Sequence, residues 1–110
     1  MHKVVVTSVR VRQEVEFFRY DADMYDYIEE VHIDPGHLIA LKVSLSEDRM
    51  TEYCEMIFES KEAFQNYMKD PVIAYQEPIK VRYNQFNRIA VSINTEEIVV
   101  NKDLYNLFLR

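Results

Sequence analysis

The stretch from His37 to Pro71, HLIALKVSLSEDRMTEYCEMIFESKEAFQNYMKDP, constrains the fold more than any other part of the chain. Ile39, Leu41, Val43 and Leu45 alternate with Ala40, Lys42, Ser44 and Ser46, the two-residue period of a half-buried strand. Ser46 to Arg49 is a polar turn, and a second strand follows from about Thr51 to Phe58. Its alternation is blurred: Cys54, Met56 and Phe58 share one face while Tyr53 and Ile57 occupy the other, which predicts partial cover on both sides of the sheet. Ser60 is then a helix N-cap, with Glu62 in the first turn, Phe64, Tyr67 and Met68 as the apolar stripe, and Asp70-Pro71 as the stop.

On the N-terminal side, Lys3 to Val9 is rich in Val and Thr and reads as a strand. From Val11 onward two periods compete. Val9, Val11, Val15 and Phe17 fit one side of a strand, whereas Val11, Val15, Phe18, Ala22, Tyr25 and Ile28 recur at helical spacing. A strand from Val4 to Phe18 would run about 50 Å at 3.3 Å per residue, far beyond the usual length. The expectation is therefore a helix over about Gln13 to Val31, with Asp21 and Asp23 as alternative N-caps of a shorter one. Asp34-Pro35-Gly36 ends it.

On the C-terminal side, Val72 to Phe86, interrupted by Pro78, reads as a second helical piece followed by loop. Arg88 to Ile93 is a strand with Ile89, Val91 and Ile93 on one face. Ile98-Val99-Val100 is a candidate fifth strand, and Lys102 to Leu109 a short helix capped by Asn101. Its Leu104, Leu107 and Phe108 are too apolar to remain in solvent. The order β-α-β-β-α-β predicts an α+β, ferredoxin-like fold: a four-stranded antiparallel sheet, two helices on one face and a short C-terminal extension. The division is one domain over 1–93 and an extension over 94–110 that docks on the domain or on a dimer partner.

Composition narrows the function classes. With 110 residues, 48% of them hydrophobic, the chain can build one core. A single Gly removes the Gly-rich phosphate loops of nucleotide-binding proteins. A formal charge of −6 opposes nucleic-acid binding, and Lys80, Arg82 and Arg88 are too few to make a basic patch. The lone Cys54 fits a reducing compartment, and no segment approaches the roughly 20 apolar residues of a membrane span, so a cytoplasmic protein without a membrane partner is expected.

Four groups of residues are candidates for chemistry. His32, Asp34 and His37, with Glu29 or Glu30, could supply mixed ligands to a metal, although such a turn more commonly serves solubility and helix ending. Cys54, mid-strand beside Met56, reads as a small buried hydrophobe with a raised pKa. Among eight Tyr and six Phe, the residues Phe58, Phe64, Tyr67, Tyr25 and Phe18 are the candidates for lining one ligand pocket, with Phe17 and Tyr75 beside them. Arg10, Arg12 and Arg19 could hold a carboxylate, or form a solvated face with Glu14 and Glu16. No motif calls for a cofactor.

Pro35-Gly36, a strand, a polar turn, a strand ending in Glu55-Met56-Ile57-Phe58-Glu59-Ser60, then Lys61-Glu62-Ala63-Phe64, Tyr67 and Asp70-Pro71 together resemble the antibiotic biosynthesis monooxygenase-like family of dimeric α+β barrels. The resemblance covers roughly residues 3–93. It implies a homodimer paired through the open sheet face and a pocket for a small apolar or aromatic molecule between sheet and helices. The chain departs from the family in its chemistry. Phe58 stands where members often carry a tryptophan, and His2, His32 and His37 all lie outside the helix whose histidine serves haem-degrading relatives. The expected function is thus ligand or partner binding by a small homodimer without assignable catalysis; the alternative is a cofactor-free monooxygenase- or cyclase-like enzyme acting on a small aromatic or polyketide-like molecule.

Overall fold

The computed structural model describes residues 1–99. Strands β1 (His2–Val9), β2 (Leu38–Leu45), β3 (Thr51–Phe58) and β4 (Ala90–Glu97) form one antiparallel sheet in the order β2-β3-β1-β4. Helices α1 (Ala22–Ile28), α2 (Lys61–Lys69) and α3 (Pro71–Phe86) accompany it. This is the expected ferredoxin-like plan, with the second crossover built from two helices rather than one.

Residues opposite one another in an antiparallel ladder share a face. Val4 lies opposite Met56 and Thr95, Val6 opposite Cys54 and Ile93, and His2 opposite Phe58 and Glu97. The face carrying Val4, Met56 and Phe58 packs on Met24 and Ile28 of α1, Tyr67 of α2 and Ile73 of α3, and this is the main core. Leu41, Val43 and Leu45 follow the same phase, as expected. Ile39 does not, because an irregularity between Leu38 and Ala40 shifts the register and sends it to a small cluster with Ala40, Ile57, Met1 and Ile98. That cluster covers one end of the opposite face, on which no helix lies among the described residues; Tyr53 further along remains exposed.

The expected helix over residues 13–31 is corrected. Residues 10–20 form an irregular strap, and α1 begins only at Ala22. Asp21 is the cap, its Oδ1 accepting from the Met24 amide at 2.8 Å. The strap is held by other bonds: the Arg10 guanidinium donates to the carbonyls of Arg49 and Val15, Gln13 donates to the Asp48 carbonyl, and the Tyr83 hydroxyl donates to the Glu16 carbonyl. Val11, Val15, Phe17 and Phe18 are weak helix formers, so these anchors prevail over the apparent helical period. The buried residues of α1 are Met24 and Ile28, a phase that leaves Tyr25 outside.

After Ile28 the helix widens into a π-helical turn, Glu29–Ile33, closed by the Asp34 amide donating to the Glu29 carbonyl at 2.8 Å. Gly36 then takes φ +92°, which admits glycine at no steric cost and turns the chain into β2. Ser60 caps α2 through the Ala63 amide at 3.0 Å. Asp70 ends α2 and caps α3, its Oδ1 accepting from the Val72 amide at 2.8 Å, with Pro71 in the first turn.

Two further expectations change. Residues 72–86 contain no terminal loop, since α3 continues to Phe86 through Pro78. The bond Pro78 cannot donate would have gone to the carbonyl of Ala74, an exposed residue whose carbonyl water can satisfy. The last strand lies over Ala90–Glu97 rather than 88–93, after Arg88 turns the chain at φ 56°. Residues 94–97 therefore belong to the sheet rather than to an extension. Ile98 adds no fifth strand: its amide donates to the Met1 carbonyl at 2.9 Å and its carbonyl accepts from the Met1 ammonium at 2.8 Å, prolonging the β1–β4 pairing. Val100 and the expected helix over 102–109 lie outside the described residues. No helix among the described residues is long and apolar enough to cross a membrane.

Candidate ligand site between sheet and helices

The alternation of β3 places Glu52, Cys54, Met56 and Phe58 in a row on the helix-facing side. The row begins polar and ends aromatic, and its two ends meet different neighbours.

At the aromatic end Phe58 is fully buried, with ring centroids 5.2 Å from Phe64 and 5.3 Å from Tyr67. Burial drives the Tyr67 hydroxyl far above the usual tyrosine range. His32 stands edge-on to Tyr67 at 4.8 Å, and His2 tilts against Phe64 at 5.4 Å while its Nδ1 meets Glu97. His32 Nε2 and the Tyr27 hydroxyl both reach Asp70 Oδ2 at 2.7 Å. Desolvation pushes the Asp70 carboxyl up, but the bonds from Tyr27, the Val72 amide and His32 outweigh it and hold the group below its ordinary value. Asp70 thus ties the π-helical turn to the α2–α3 joint.

At the polar end the strap lies beside β3. Glu52 is buried, and Arg19 Nη2 comes within 2.6 Å of its Oε2. This contact raises the Arg19 pKa. The approach is misaligned for a hydrogen bond, and among the described residues Oε2 is a buried oxygen with no aligned donor. Cys54 is raised by burial despite the opposing pull of Lys80, so its thiol is protonated near neutral pH. Lys80 of α3 pairs with Glu77 at 3.4 Å and sits 5.7 Å from the centre of the Tyr20 ring. Burial pulls the Lys80 ammonium down, and Tyr20 and Glu77 more than offset that. Tyr20 is raised by burial, with Lys80 opposing.

The five aromatic candidates do not share one wall. Phe58, Phe64 and Tyr67 meet in the core, whereas Phe18 packs edge-on against Tyr20 at 5.4 Å and Tyr83 at 5.6 Å, and Tyr25 against Tyr20 at 5.6 Å. Cys54 and Met56 lie between the two groups. The metal candidates separate as well: His32 turns to Asp70, while exposed His37 stands 3.4 Å from Glu59. Among the described residues no three His, Cys, Asp or Glu side chains are placed to hold a metal ion. Of the arginines, Arg10 is spent on carbonyls and lies 4.5 Å over the Phe17 ring; Arg19 does hold a carboxylate, that of Glu52. Sequence reasoning missed Glu52, Tyr20, Lys80 and Asp70. The signal for Glu52 was its phase, two residues before Cys54 in the core-facing register. A shallow depression at the β2–β3 turn, lined by Ser46, Glu47, Asp48, Thr51 and Tyr53, lies away from these groups.

No family model matches the chain, and no curated protein matches it. Solved structures do. A candidate antibiotic biosynthesis monooxygenase from Deinococcus radiodurans superposes with TM-score 0.59 at 8% identity, over 92% of this chain and 95% of that one. Rv0793 from Mycobacterium tuberculosis gives 0.56 at 10% identity, over 92% and 98%. A dimeric ferredoxin-like protein from an uncultured marine organism gives 0.51 at 14% identity, over 91% and 94%. The chain shares the fold of these proteins at low sequence identity, and the likeness extends to the fold alone.

Proposed function

We propose that this chain is a small-molecule-binding protein that pairs with a second copy through the helix-free face of its sheet and holds its ligand between the sheet and the strap. The carrying observation is the convergence of Glu52, Cys54, Arg19, Tyr20 and Lys80 at one end of an interlayer whose other end is an aromatic core in which Tyr27 and His32 pair with Asp70. Ionisable groups are costly in such a layer unless they serve something. The dimer reading draws on the sheet face that no helix covers among the described residues, where Tyr53 is exposed and half-buried Lys3 pairs with Glu55 and with exposed Glu96, and on the solved neighbour described as dimeric. A reducing cytoplasm suits the lone Cys54.

A cofactor-free enzyme acting on an aromatic or polyketide-like molecule is the second reading, favoured by the name of the Deinococcus neighbour. It receives no catalytic residue here, because the Cys54 thiol is buried in its neutral form rather than activated.

Light scattering on the full chain at micromolar concentration is expected to give a dimer, and Tyr53→Asp to shift it toward monomer. A thermal-shift panel of small neutral, anionic and cationic aromatic compounds is expected to contain stabilising members. A monomer overturns the pairing; a panel without a single stabilising compound overturns the ligand site.

A further inference from the structure

Glu52 occupies an unusual position for a carboxylate. It is 8% exposed, opposite Ser8 of β1 and Leu45 of β2 on the core-facing side of β3. Its cationic partner, Arg19, has a side chain 52% exposed and belongs to a strap without regular structure. Arg19 also splits its guanidinium, Nη1 donating to the adjacent Phe18 carbonyl at 3.0 Å. The result is a buried anionic oxygen with a cation close by and no aligned donor. A buried charge left in that condition favours any cation that brings well-directed N–H groups.

The surroundings favour the same class of ligand. Tyr20 stands edge to face with Phe18 and with Tyr25, and Tyr25 is near enough to Arg19 to contribute to its raised pKa. Two of the protein's own cations already lie over rings of this region, Arg10 over Phe17 at 4.5 Å and Lys80 by Tyr20 at 5.7 Å. Aromatic faces attract cations, most strongly out of bulk water. The formal charge of −6 draws cations toward the protein as a whole.

We infer that Glu52 is the anchor of a site for a small organic cation, an ammonium, amidinium or guanidinium on a flat or aromatic body, which displaces Arg19 from the carboxylate and lies against Phe18, Tyr20 and Tyr25. This rests on the ligand site proposed above and names its chemical class. Arg19 is an internal competitor: the strap closes on Glu52 when the site is empty, and the ligand's N–H groups take over when it is filled.

The test is calorimetric titration of the full chain with benzylguanidine and benzylamine, with benzoate and benzyl alcohol as the anionic and neutral comparisons. Benzylguanidine is expected to bind, Arg19→Ala to bind it about tenfold more tightly, equivalent to about 1.4 kcal/mol of competition removed, and Glu52→Gln to lose it. Should Glu52→Gln fold poorly, the wild-type protein supplies the second readout. Cys54 is its sole thiol, two residues from Glu52 on the same face, and benzylguanidine is expected to slow its reaction with a disulfide reagent several-fold. Benzoate or benzyl alcohol binding as well as the cations, with Glu52→Gln unaffected, overturns the cation class and leaves the ligand site standing. No binding of either cation to wild type or Arg19→Ala, with an unchanged Cys54 rate, overturns the inference outright. Failure of the whole compound panel removes the site itself.

Discussion

The two ends of the core-facing row on β3, Phe58 and Glu52, are about 20 Å apart at 3.3 Å per residue, and they are built on opposite principles. Around Phe58 the rings of Phe64, Tyr67 and His32 interlock, two capped helices meet at Asp70, and Tyr27, His32 and the Val72 amide all bond its carboxylate. Around Glu52 the cover is a strap held by side-chain bonds to carbonyls, Val43, Leu45, Val91 and Ile93 stay exposed on β2 and β4, and a buried carboxylate oxygen lacks an aligned donor. The first end is what stability alone produces. The second gives up packing to keep charged groups at the interlayer, which is the pattern of a site.

Substitutions at the two ends should therefore behave differently. Phe58→Ala removes a fully buried ring and is expected to cost about 3–5 kcal/mol, read as a lowered urea midpoint; a loss below about 1 kcal/mol would mean the aromatic end is not the core. Asp70→Asn keeps a residue able to cap α3 but weakens the bonds from Tyr27 and His32, for about 1 kcal/mol. Its pH dependence has a definite sign. The folded Asp70 pKa is depressed, so its contribution is complete above the unfolded value near 3.9 and is lost as pH falls through the folded value. The gap between wild type and Asp70→Asn should therefore close in acid and persist at neutral pH; a gap that widened in acid would contradict the bonding described.

Ser60→Ala removes the cap that sets α2, and with it the position of Phe64 and Tyr67, at about 1 kcal/mol; hydrogen exchange of the Ala63 amide would report it. Glu52→Leu is the smallest expected change and the most diagnostic. Replacing a buried ion-paired carboxylate by a similar apolar side chain is expected to leave stability within about 1 kcal/mol or raise it, while eliminating ligand-induced thermal shifts. A large loss of stability would place Glu52 among the structural residues instead.

The same contrast explains what the sequence could show. The hairpin, the Ser60 cap and the Asp70-Pro71 stop were legible because each depends on local chemistry: a period of two, a hydroxyl at the first turn, a residue without an amide hydrogen. The strap was not. Val11, Val15 and Phe18 keep a helical spacing by chance, while the groups that decide their conformation, the carbonyls of Asp48 and Arg49 and the hydroxyl of Tyr83, are distant in sequence. Ile39 was misplaced for a similar reason, since an irregularity in the ladder inverts the alternation without a mark in composition. The aromatic residues were identified as residues but not as two groups, because their division depends on where the strap runs.

Amide chemical-shift mapping on the isotopically labelled full chain distinguishes a ligand held at the Glu52 end from one held at the Phe58 end. The titrant is whichever small aromatic compound stabilises it best. The largest changes are expected on residues 17–20, 52–54 and 77–80. Changes confined to the surroundings of Phe58, Phe64 and Tyr67, or to the helix-free face of the sheet, would contradict it.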